Sequence, residues 1–270
     1  MKSRTIALPA YEAGMILVCD IGNTNIRFGF FKGNSLIFEA KLRTRAFGQS
    51  KAYLENMIKS KSAGLSGIEA NIICSVVPRL NKKIRDCLSA LTARPVYLVG
   101  KDLIVPIKNL YANPAQVGPD RLICAYMASL LYGAPLICVD LGTAITFDII
   151  SKDRKYAGGI ILPGLHLSLS ALHQSTALLP EIKLAHPKTI IGKDTRQSML
   201  SGITFGFGSL IDGLADKLKK RLGAKTKVIA CGGDALFIKP YCKKIDYFDA
   251  GLILKGLSRL LNDKLEIDSR

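Results

Sequence analysis

The chain has 270 residues, 49% of them hydrophobic, with 38 Lys and Arg against 21 Asp and Glu for a formal charge of +17, so it can bury one large core or two moderate ones. No apolar run reaches the roughly 18 residues of a membrane span, no apolar leader core precedes Asp20, and the seven Cys form no CxxC pair, which argues against a membrane protein, metal-thiolate chemistry and a disulfide scaffold. The basic residues are scattered, the densest cluster (Lys217 to Arg221, with Lys225 and Lys227) closes a helix, and the aromatics do not interleave with charge, so a cytoplasmic protein without a nucleic-acid partner is expected.

Residues 1–14, with Pro9 and Gly14, read as a loose tail. Ile16 to Cys19 is a continuous apolar run ending at Asp20, followed by Ile21-Gly22-Asn23-Thr24-Asn25 and a second apolar run from Ile26. The pattern predicts a buried strand, a tight turn and a returning strand, with the carboxylate at the strand end where open α/β sheets place ligand groups. Gly22 admits close approach of the backbone, Asn23 and Thr24 can present donors to an anion, and Asp20 can hold a hydrated cation beside it. Plain turn chemistry would give the same local pattern.

A third antiparallel strand is expected over 35–42, a helix from Gln49 to Lys61, a buried strand from Ile68 to Val77, a helix opened by Pro78 that runs to about Ala93, and a strand from Pro95 to Val99. The order β-β-β-α-β-α-β describes a mixed sheet in an α/β fold. The Tyr111 to Arg121 loop then leads into an apolar helix, with Asp120 and Arg121 in its first turn. Asp is an ordinary cap there, whereas Arg opposes the helix dipole unless an anion is near; together they suit an acceptor site that takes a hydroxyl proton and forks a carboxylate.

Asp140-Leu141-Gly142-Thr143 repeats the first turn between two apolar runs, and two such hairpins imply two related halves. Gly158-Gly159 to Gly164 leads to a helix from Leu165 to Gln174. An irregular segment from Thr176 ends at Asp194-Thr195, where a long helix to about Leu222 begins. Strand 228–231 delivers a third glycine turn, Gly232-Gly233-Asp234, which is followed by a strand near 245–248 and a closing helix from Leu252 to Leu261. The three His lack metal-ligand spacing, and neither GxxxxGK[ST] nor GxGxxG occurs.

Taken in order, Asp20-Ile21-Gly22-Asn23-Thr24, the Gly118-Pro119-Asp120-Arg121 core of the Tyr111 loop, Asp140-Leu141-Gly142-Thr143-Ala144-Ile145-Thr146, Gly158 to Gly164, Thr176 to Pro180 and Gly192 to Thr195 resemble type III pantothenate kinase, over Met15 to about Leu257. The tail and Pro119 depart from the family pattern.

The resemblance implies an α/β protein of two duplicated ribonuclease-H-like, actin-like domains (about 15–132 and 133–270) with mixed β-sheets and an interdomain cleft. It implies phosphorylation of pantothenate by ATP with magnesium and a monovalent cation, potassium or ammonium, in a homodimer. By position, Asp20, Ile21, Gly22, Asn23, Thr24, Asn25, Ile26 and Arg27 match the family's phosphate-binding segment, Thr143 its second ATP contact and Asp140 the monovalent-cation ligand. Tyr111, Gly118, Pro119, Asp120, Arg121 and Thr195 match the pantothenate pocket, with Asp120 as the base. An idle regulator on the same fold, or a kinase of another small acceptor, are the alternatives.

Overall fold

The computed structural model describes residues 14–47, 56 and 67–268. The tail through residue 13 and, apart from Asn56, the helix expected from Gln49 to Lys61 lie outside the described residues.

Among the described residues ten strands form two five-stranded sheets. In the first, β1 (Met15–Ile21), β2 (Asn25–Lys32) and β3 (Ser35–Arg43) are an antiparallel meander, and β4 (Ile68–Ser75) and β5 (Val96–Leu98) join in parallel, giving the order β3-β2-β1-β4-β5. The second sheet repeats the plan. There β6 (Leu136–Leu141), β7 (Ala144–Ile150) and β8 (Tyr156–Pro163) form the meander, with β9 (Lys227–Cys231) and β10 (Tyr247–Phe248) added in parallel in the order β10-β9-β6-β7-β8. The central strands β1 and β6 are fully buried along their apolar runs because each has neighbours on both edges and side chains packed on both faces.

Six helices complete the described fold: α1 (Pro78–Thr92), α2 (Pro119–Tyr132), α3 (Leu165–Gln174), α4 (Thr195–Leu222), the single turn α5 (Ala235–Ile238) and α6 (Leu252–Asp268). Proline opens α1 and α2, where its missing N–H costs no intrahelical bond. Asp194 caps α4 by accepting from Gln197 N at 2.7 Å, and Lys219, Lys220 and Arg221 fill its last turn, as the dipole favours.

The chain divides into two compact units, one of residues 1–107, 112–131 and 252–270, the other of 108–111 and 132–251. Each is therefore assembled from separated stretches. In the first, α6 packs on β1, β2 and β4, and its Ser258 and Asn262 donate to the Gly33 carbonyl at the β2–β3 turn at 3.5 and 3.3 Å. In the second, the core lies between β6, β7 and β9 and the helices α3 and α4. None of the seven Cys is in a disulfide and six are buried, in keeping with their apolar sequence surroundings. Among the described residues no helix is long and apolar enough to cross a membrane.

Candidate active site

In the first unit the β1–β2 hairpin closes over two register pairs, Asp20 with Arg27 and Ile21 with Ile26. Gly22 N donates to Asn25 O at 3.0 Å, and Thr44 fastens the turn twice, its N–H to Thr24 O at 3.0 Å and its hydroxyl to Gly22 O at 2.7 Å. A β-carbon at Gly22 would stand 3.1 Å from Asn25 O, so the turn is tight enough to favour glycine. Asn23 and Thr24 are exposed at its tip, while Ile21 and Ile26 are buried, leaving those two only their backbone to offer a ligand. Arg27 Nε donates to Glu39 Oε1 of β3 at 2.9 Å, an ion pair that anchors the guanidinium along the sheet.

The loop before α2 has its own local order. Asn113 accepts from Ala115 N at 3.2 Å over a turn of 3-10 helix at Pro114–Gln116, and Asp120 Oδ1 accepts from Arg121 N at 2.9 Å in the first turn of α2. A β-carbon at Gly118 would collide with the Asp120 carboxylate and stand 3.7 Å from Val76 Cγ1, which sets this helix entrance beside the carboxyl end of β4. Cys74 lies on that strand in register with Asp20. Burial pushes its thiol well up, and the charges of Asp20 and then Asp120 push it further. The phosphate-type turn and the acceptor-type helix entrance thus share one end of the first sheet.

In the second unit three glycine turns converge on the carboxyl end of β6. Gly142 N donates to Ala144 O at 3.0 Å in the hairpin turn, Gly164 N to Thr143 O at 3.0 Å, and Asp234 N to Leu141 O at 3.0 Å. Gly164 packs so closely on the Gly142 and Thr143 carbonyls that a β-carbon would overlap them, and one at Gly232 would overlap the Asp140 carboxylate and the Leu141 carbonyl. The result is a cradle of a carboxylate and backbone carbonyls. Those oxygens suit a hard cation of low charge density, and the Cys231 thiol, across the β6–β9 pair from Asp140, stands within 4.8 Å of its carboxylate.

Thr143 is exposed at the hairpin tip, and Thr195 is exposed at the first position of α4. Tyr111 packs its ring on Tyr156, with centroids 6.4 Å apart. Three residues without an assigned role in the sequence reading also have partners: His166 Nε2 lies 3.5 Å from Asp234 Oδ1, His173 Nδ1 lies 2.8 Å from Leu179 O, and His186 stacks on Phe237 at 4.3 Å. The one signal for them was helical placement of the first two, which says nothing about a partner on another element.

A family model described as type III pantothenate kinase matches residues 16–217. A type III pantothenate kinase of Finegoldia magna is 38% identical over 92% of this chain and 97% of its own. That of Desulforapulum autotrophicum is 38% identical over 93% and 97%. Among solved structures, a Baf family transcriptional activator of Campylobacter jejuni aligns with TM-score 0.58 at 20% identity, covering 93% of this chain and 100% of that one. The activator of 2-hydroxyisocaproyl-CoA dehydratase from Clostridium difficile, with bound ADPNP, aligns with TM-score 0.51 at 12% identity, covering 95% and 96%. At those identities the structures speak for the fold, two mixed sheets flanked by helices in the actin-like manner.

Proposed function

The chain belongs to the type III pantothenate kinase family, so it is a kinase that phosphorylates pantothenate for coenzyme A synthesis, and we propose which of its residues carry the reaction. Phosphoryl transfer leaves little covalent chemistry to the protein, so positioning and charge compensation dominate.

The Asp20 to Arg27 turn holds the phosphates of ATP. Asn23, Thr24 and Asn25 supply side-chain and backbone donors, Gly22 close approach, and Ile21 and Ile26 backbone groups alone. Arg27, tied to Glu39, adds a fixed positive charge at the turn's base. Thr143 supplies a second ATP contact. Asp120 orients the primary hydroxyl of pantothenate and accepts its proton, while Arg121 forks the substrate carboxylate. Tyr111, Gly118, Pro119 and Thr195 complete the contacts to pantothenate. Supporting this reading above all is that Asp20 is in register with Cys74 at the end of β4 while the Gly118 entrance to α2, which touches the Asp120 carboxylate, lies against Val76 just beyond that strand: a hydroxyl held at Asp120 then lies at the same sheet end as phosphates held at the turn.

Asp140 and the carbonyls around it bind potassium or ammonium, a choice favoured by the crowding of oxygen donors that Gly164 and Gly232 permit. Magnesium arriving with ATP offsets phosphate charge when bound. A homodimer fits the exposure of Leu178, 90% accessible in the single chain. A cytoplasmic location fits seven cysteines of which none is in a disulfide.

The deciding measurement is ADP release from magnesium-ATP with different acceptors. Pantothenate is expected to stimulate release strongly, while sugars and polyphosphate leave it at background. Equal stimulation by a sugar, or none by pantothenate, would overturn the assignment.

A further inference from the structure

Asp148 is a carboxylate with no place in the phosphoryl-transfer site described above, yet it is fully buried on β7. Burying a carboxylate is costly unless hydrogen bonds replace its water. Here Tyr156 OH donates to its Oδ1 at 2.7 Å and Thr146 Oγ1 to its Oδ2 at 3.1 Å. Tyr156 is itself completely buried at the start of β8.

The backbone of Tyr156 is the anchor for a stretch distant in sequence. Its N–H donates to Lys108 O at 2.9 Å and its carbonyl accepts from Leu110 N at 2.8 Å, so residues 108–110 add a short parallel bridge to the second sheet. Asn109 Oδ1 then accepts from Tyr111 N at 3.0 Å, and the Tyr111 ring lies against the Tyr156 ring at 54°. The stretch that carries Tyr111 is thus held by its backbone, and Tyr111 by its ring, to one residue, and that residue's hydroxyl is fixed by Asp148.

We propose that Asp148 and Tyr156 are positioning residues that preset Tyr111 for pantothenate. The role rests on the reading of Tyr111 as a pantothenate contact. A buried, hydrogen-bonded brace removes the rotamer freedom that binding would otherwise have to remove, so it acts on the affinity for the acceptor and leaves the phosphoryl-transfer step alone.

Steady-state kinetics of Tyr156→Phe, Tyr111→Ala and the double variant, with thermal unfolding of each, test this. Tyr156→Phe keeps the ring and loses the hydroxyl, and is expected to raise the KM for pantothenate about three- to tenfold, with kcat and the KM for ATP within about twofold. In the Tyr111→Ala background the same change should add nothing, because the residue through which it acts is gone. Asp148→Asn keeps an acceptor for the Tyr156 hydroxyl and should restore most of the affinity that Asp148→Ala loses. If Tyr111→Ala raises the KM for pantothenate but Tyr156→Phe does not, or if the two effects simply add, the brace is refuted while the site stands. If Tyr111→Ala itself leaves that KM unchanged, the assignment of Tyr111 falls, and the brace with it.

Discussion

A β-carbon on Gly232 would overlap the carboxylate of Asp140, and Gly232 also holds φ at +89°, a region that L side chains rarely adopt. Two independent constraints therefore select glycine at this strand end. Gly232→Ala is expected to lose about 1–2 kcal/mol from backbone strain alone and to push Asp140 from its place. With Asp140 as the monovalent-cation ligand, the wild type should be slow in sodium and fast in potassium or ammonium, and Gly232→Ala should need about tenfold or more potassium for half activation. Urea unfolding and a potassium titration of activity measure both effects. Equal rates in sodium-only buffer would remove the cation from Asp140.

Asp120 accepts the Arg121 N–H, which an Asn side chain can also do. Asp120→Asn should therefore keep stability within a few tenths of a kcal/mol and leave ATP binding intact. Pantothenate turnover is expected to fall at least about a hundredfold, the lower part of the range for a lost general base. Turnover near the wild-type rate would reduce Asp120 to a cap.

In the second unit, Ile161, Leu178, Ile190 and Ile191 are 61%, 90%, 64% and 74% exposed in the single chain. If a symmetric partner covers them, light scattering at micromolar concentration should return twice 29.3 kDa. Leu178→Asp should then weaken the dimer by roughly ten- to a hundredfold, the equivalent of one buried leucine. A monomeric wild type would count against the assembly.

Alkaline pH should loosen both units. Burial, and then the charge of Asp263, whose Oδ2 accepts the Tyr126 hydroxyl at 3.2 Å, push Tyr126 up to about 12. Burial and Asp249 push Tyr132 up as well. An unfolded tyrosine loses its proton near pH 10. The folded state holds these protons more tightly, so their contribution is complete below about pH 10 and declines as pH rises through the folded values. The urea midpoint should fall above about pH 10, and Tyr126→Phe should flatten part of that fall. A midpoint that rises above that pH would contradict the assignment.

What is written locally could be read directly from the chain. The two hairpins, their terminal carboxylates and the turns at Gly22 and Gly142 are set by a few adjacent residues, because a tight turn between apolar runs fixes its own register. Likewise Pro78, Pro119 and Asp194 mark helix starts through groups within one turn, and the long helix to Leu222 stands where the sequence put it.

The tertiary structure decided the rest. Nothing in Leu252 to Asp268 says that this last helix packs with the first unit, on β1, β2 and β4, far upstream in the chain. It also runs a full seven residues past the expected Leu261. Nor does any spacing connect Asp148 and Tyr156 with the 108–111 stretch, or Gly232 with Asp140. These pairings depend on which buried surfaces find one another after the strands have assembled. Amphipathic periodicity specifies that a face will be covered, but the partner is chosen by shape and by the need to satisfy buried polar groups, which only the folded chain brings within reach.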